Sequence, residues 1–119
     1  MPLFQNGWTK GDIETAIGRD RPDELLHVPI MVSMDPPDCA WAEAVCLSLA
    51  RHPHVNVRGN AVLGLGHLAR TCGRLDLSAV VPVLCAALKD PAPYVRDQAE
   101  TAADDLSHFL DIVVPRPFS

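Results

Sequence analysis

The chain has 119 residues, of which 48% are hydrophobic and 21% charged. That suits one globular domain with a real core, and it excludes disordered or collagen-like sequence and any need for a stabilising disulfide or metal. Ten Lys+Arg against fifteen Asp+Glu give a net charge of -5, a poor endowment for gripping nucleic acid and a better one for meeting a basic protein.

The start, Met1-Pro-Leu-Phe-Gln-Asn-Gly-Trp8, lacks the basic end and apolar run of a signal peptide. No stretch reaches the roughly 18 apolar residues of a membrane span. A cytoplasmic location without membrane contact is the expectation. Thr9 or Asp12 can cap a short helix through Ile17, which Gly18 should end. Pro22-Asp23-Glu24 reads as another helix start, with proline first and acids in the first turn. Pro29 should interrupt it, leaving Ile30–Met34 either helical or extended. Residues 1–37 thus form a divergent N-terminal unit.

Beyond it the chain repeats itself. At an offset of 38, Pro53 meets Pro91, Val57 meets Val95, Arg58 meets Arg96, Ala61 meets Ala99 and Leu68 meets Leu106. Each copy parses as helix–turn–helix. In residues 38–75, Asp38 caps a helix that Pro53 ends, and a second runs from about Asn56 to Thr71 before Gly73. In residues 76–111, Asp76 or Ser78 caps a helix to about Leu88, and a last one runs from about Pro93 to Leu110. Pro115 and Pro117 mark residues 112–119 as a disordered or loosely packed tail. The fold expected is all-α, in one domain.

Leu88-Lys-Asp-Pro-x3-Val95-Arg96-x2-Ala99 and Ala50-Arg-His-Pro-x3-Val57-Arg58-x2-Ala61 resemble the HEAT repeat. The resemblance implies a short α-solenoid of stacked helix pairs. In that family an acid six residues before the arginine joins neighbouring repeats in a ladder. Asp90 and Arg96 match those places, Arg58 is the first-copy arginine, and His52 stands where the first copy would have its acid.

On a helical wheel of the last helix, Val95, Ala99, Ala102, Ala103, Leu106, Phe109 and Leu110 share one arc, the side toward the core. Asp97, Glu100, Asp104 and Asp111 share a wedge of about 60° on the other side. The same wedge on the preceding helix of this type holds Gly59, Val62, Gly66 and Gly73, small or apolar as a close neighbour requires. The acidic wedge is therefore where a further helix would dock. It serves either as a soluble cap or as a docking surface for a basic partner. The HEAT resemblance implies a second binding surface, an inner stripe of Asn60, Leu63, His67 and Arg70 followed by Gln98, Thr101, Asp105 and His108. His67 and Asp105, at equivalent positions on adjacent helices, could hydrogen-bond or stand as a surface polar pair of little energetic value.

The signals for chemistry are weak. Cys39, Cys46, Cys72 and Cys85 form no CxxC pair, and Cys39 and Cys46 are too far apart on one helix to bridge, so all four are expected as reduced thiols. His52, His54 and His67 lack the Cys or carboxylate that would complete a metal site, and the loop histidines should face solvent. Cys72 has no base at helical spacing. Gly59, Gly64 and Gly66 lie inside a helix, with no GK[ST] after them. No catalytic residue, metal, cofactor or nucleic-acid partner is expected. Cys46-Leu-Ser-Leu, Asn56-Val-Arg-Gly-Asn-Ala-Val-Leu-Gly-Leu-Gly-His-Leu-Ala-Arg70 and Val95-Arg-Asp-Gln-Ala-Glu resemble, more narrowly, small bacterial HEAT-type immunity proteins of polymorphic toxin and contact-dependent inhibition systems. That resemblance implies a stoichiometric inhibitor of a cognate toxin domain, with a general HEAT adaptor as the alternative.

Overall fold

The computed structural model describes residues 7–117, and no strand forms within them. Seven helices follow in order: α1 (Lys10–Arg19), α2 (Pro22–Leu25), α3 (Val28–Met34), α4 (Cys39–Leu49), α5 (Val55–Cys72), α6 (Leu77–Ala87) and α7 (Pro93–Leu110).

Local chemistry sets most of the boundaries. Thr9 and Asp12 form a reciprocal capping box at α1: the Asp12 amide donates to Thr9 Oγ1 at 3.1 Å and the Thr9 amide to Asp12 Oδ2 at 2.9 Å. Gly18 does not end this helix. A mid-helix glycine costs only about 1 kcal/mol, and the buried Ile13 and Ala16 hold the turn, so Asp20 takes the left-handed conformation instead, at φ 53. The helix begun at Pro22 does stop short of Pro29, at Leu25. Pro29 is among the first residues of α3, where its missing N–H costs no hydrogen bond, and residues 30–34 take the helical alternative. Asp38 caps α4 by accepting from the Trp41 amide at 3.1 Å. Gly73 stops α5 at φ 68.

Helices α3, α5 and α7 form one layer, and α4 and α6 pack behind it; α5 touches all four of the others. Trp8 stacks on Trp41, ring centres 6.2 Å apart, holding the start of α1 beside α4. The layer has a constant register. Across α5 and α7, Gly59 faces Tyr94 and Gly66 faces Ala102. Across α3 and α5, Pro29 faces Gly64, and Ser33 faces His67, 34 residues away. Helix α3 therefore stands to α5 much as α5 stands to α7, although residues 1–37 share no repeat motif with the rest.

Glycine makes the close approach possible. A Cβ on Gly66 would lie 2.7 Å from the Ala102 Cα, and one on Gly64 would lie 2.9 Å from Cys46 Sγ. Gly73 has nothing within 4 Å, so its place in the sequence wedge reflects its stop role and not packing. The core is aliphatic: Leu65, Leu68, Leu84, Leu106, Val57 and Val95 are fully buried. Phe109 departs from its expected arc and is 42% exposed. The register puts it level with Gly73, where α5 has already ended.

The tail is not loose over residues 112–117. Asp111 adopts φ 57 and turns the chain back, the Ile112 amide donates to the Leu106 carbonyl at 3.3 Å, and Val114 is 2% exposed. Burial of Val114 and packing of Ile112 against the core offset part of the freedom that the tail loses.

Candidate functional site

Three sets of side chains stand out, and the first is structural. Arg58 Nε donates to Asp90 Oδ2 at 2.7 Å and Nη2 to Oδ1 at 3.0 Å, a bidentate pair between α5 and the turn before α7. The Arg58 guanidinium holds the Asp90 carboxyl below the usual carboxylate range. Arg58 Nη1 also donates to the carbonyls of His52 and Pro53, and Arg96 Nη1 donates in the same way to those of Asp90 and Pro91. A second pair, nearer the N-terminus, has its polarity reversed. His52 Nδ1 accepts from the His54 amide at 3.0 Å, which leaves Nε2–H to meet Asp20 Oδ1 at 2.7 Å. Asp20 and His52 each lie 38 residues before Arg58 and Asp90. His52 is therefore hydrogen-bonded through both ring nitrogens, its side chain only 11% exposed, and not a solvent-facing loop histidine.

The second set is the inner stripe, and much of its polarity is spent inside the protein. Asn60 Nδ2 donates to the Leu26 carbonyl at 2.7 Å, and its Oδ1 accepts from the Tyr94 hydroxyl, so one amide ties together α2, α5 and α7. His67 does not hydrogen-bond to Asp105. Its Nδ1 lies 3.2 Å from the hydroxyl of Ser33, the one fully buried polar side chain among the described residues. The expected pair placed equivalent positions side by side, whereas the register sets His67 against α3. Burial lowers the His67 pKa and raises that of Asp105, whose Oδ2 would meet a Cβ on Gly66 at 2.9 Å. Thr71 donates to the Ser33 carbonyl at 2.9 Å, and Arg70 Nη2 reaches Met34 Sδ at 3.5 Å. Arg70, Thr101 and His108 are exposed, and Leu63 and Gln98 half-buried.

The third set is the outer face of α7. Asp97, Glu100, Asp104 and Asp111 are all exposed. The returning tail crosses this face, and Arg116 binds two of the four: Nε donates to Glu100 Oε2 at 2.8 Å and Nη2 to Asp104 Oδ1 at 3.1 Å. The carboxylates are thus partly compensated within the chain. A disordered or loosely packed tail offers no such contact; Arg116, the lone basic residue of 112–119, was the available signal.

The cysteines require a further correction. Cys39 and Cys72 form a disulfide, their Cα atoms 6.1 Å apart, while Cys46 and Cys85 are free thiols. The antiparallel pairing of α4 and α5 brings the first residue of one to the last residue of the other, a pairing that spacing along a single helix cannot reveal. Cys46 is fully buried, and burial with the nearby Glu43 charge pushes its thiol up to about 12, which leaves it inert. No cluster of three His, Cys, Asp or Glu side chains that could hold a metal occurs among the described residues. No described helix is long and apolar enough to cross a membrane.

No family model, curated protein or solved structure matches this chain.

Proposed function

We propose that the protein is a non-catalytic binding module, a short solenoid of HEAT-like helix pairs, that neutralises a cognate bacterial toxin domain by occupying it one to one. The observation that carries this is the outer face of α7, where Asp97, Glu100, Asp104 and Asp111 stand exposed on the last helix of the layer. A rigid helix presenting carboxylates complements a basic surface and steers its approach, and a toxin that holds nucleic acid must carry such a surface. The repeated Arg58 and Arg96 contacts support the HEAT-like part of the proposal. The Cys39–Cys72 disulfide favours an encounter in an oxidising compartment over the cytoplasm that four reduced thiols would suit.

An adaptor joining two proteins would use a second surface, and the exposed Arg70, Thr101 and His108 of the inner stripe offer one. Capture of the partner from the native host, followed by titration of the partner's own activity, separates the two. Complete loss of that activity at equimolar ratio supports neutralisation. Two proteins bound at once, both still active, supports the adaptor.

A further inference from the structure

The outer face of α7 already has an occupant. After Asp111 turns the chain, residues 112–117 run back without regular structure. Val114 is 2% exposed, Val113 is 84% exposed, and Arg116 lies across Glu100 and Asp104. Beyond the Ile112 amide bond to Leu106, the tail thus presents an aliphatic and a cationic anchor two residues apart. Arg116 Nη1 also donates to the Val114 carbonyl at 2.9 Å, which fixes the spacing of the two anchors. The acids it binds remain 54% and 78% exposed at their side chains, and ion pairs that wet hold weakly. Val114, with Ile112 packed beside it, supplies the apolar hold.

We propose that residues 112–117 are a displaceable strap, and that the face beneath it takes an extended basic segment of the partner in the pattern the tail itself presents, an aliphatic residue followed two positions later by arginine. This rests on the acidic-face reading above. The charge of the face selects a cationic segment, and the burial of Val114 selects a branched aliphatic side chain beside it. The strap buries its valine and pairs with Glu100 and Asp104 until the partner arrives, then exchanges its own valine and arginine for the partner's. Because it is tethered, it competes at a high effective concentration and rejects segments that carry only one of the two anchors.

The test uses the full-length chain and a fluorescein-labelled peptide, Ile-Val-Val-Pro-Arg-Pro, copied from residues 112–117. Arg116→Gln loosens the strap while leaving Val114 in place, and Val114→Ser with Arg116→Gln releases it. Thermal melts confirm that both variants remain folded. Fluorescence polarisation should show the double variant binding the peptide at least tenfold more tightly than the parent, with Arg116→Gln between them. Adding Glu100→Gln and Asp104→Asn to the double variant should remove the gain, as should replacing the peptide's arginine with glutamine. Equal binding by parent and variants, or no binding at millimolar peptide, overturns the strap. A released variant that dimerises in sedimentation and binds no peptide assigns the face to the tail of a second copy, and also overturns it. The peptide reads the strap alone; if it binds as stated while no toxin is inhibited, the strap stands and the toxin reading fails.

Discussion

Arg58 on α5 grips Asp90, in the turn before α7, through two hydrogen bonds of 2.7 and 3.0 Å. The same guanidinium also binds the turn of its own helix pair at His52 and Pro53. One side chain therefore fixes both the turn it follows and the helix pair that comes next.

Asp90→Asn should remove the charge from this bond while keeping its shape, at a cost of about 1.5–3 kcal/mol. The sign with pH is fixed by the depressed Asp90 pKa, whose main cause is the Arg58 hydrogen bond. The folded protein resists protonation there more than the unfolded chain does. The contribution is complete above the unfolded carboxylate pKa and disappears as pH falls through the lower folded value. Chemical denaturation from neutral to strongly acidic pH should show the parent and Asp90→Asn curves converging at the acid end.

The glycines divide by what a side chain would meet. Gly66→Leu should drive into the Ala102 backbone and cost about 1–3 kcal/mol. Gly18 is also helical, but its Cβ would meet nothing within 4 Å, so Gly18→Ala should stabilise by about 0.5–1 kcal/mol. Opposite shifts in the two thermal midpoints are the expected result.

The disulfide closes a loop with a sequence separation of 33. Chain entropy then assigns it about 4 kcal/mol. Reduction, or Cys39→Ser with Cys72→Ser, should lower stability by that order. Native alkylation should spare Cys46 and label Cys85, and full alkylation should require both denaturant and reductant. An intact mass showing four thiols in the protein from its native host would contradict this.

His67 supplies a pH dependence of its own. Burial against Ser33, and then the nearby Arg70 charge, lower its pKa, while Asp105 acts in the opposite sense. The unfolded chain therefore binds the proton more readily, and stability should fall as pH drops below about 6.5. His67→Gln should flatten that part of the stability profile, as followed by urea unfolding between pH 8 and pH 5.

Much of the helical framework could be read from the residues. The 38-residue echo, Asp38, Gly73 and Pro93 mark α4 to α7 with little error, because caps and stops act locally. The close approach at Gly59 and Gly66 was visible on a helical wheel, since two like helices must meet along like faces. What escaped needed the third dimension. The Cys39–Cys72 pair depends on two helix ends meeting, and His67 turns to Ser33 because α3, too short to show a repeat, packs beside α5. The Asp20–His52 pair was hidden by its reversed polarity, although the 38-residue offset pointed at Asp20. The acids of α7 were legible in sequence; the arginine that folds back over two of them was not.

The most direct test of the account is the salt dependence of partner association. Changing Asp97 and Asp104 to Asn, Glu100 to Gln and Asp111 to Asn keeps size and polarity, and Asn tolerates the left-handed conformation at position 111. Association of the captured partner with parent and quadruple variant should be followed kinetically at low and moderate salt. The account predicts an affinity loss of at least about tenfold, carried by a slower, salt-insensitive on-rate in the variant and a steeply salt-dependent one in the parent. Equal, salt-insensitive association by both proteins would contradict it and reduce the outer face of α7 to a solubilising end.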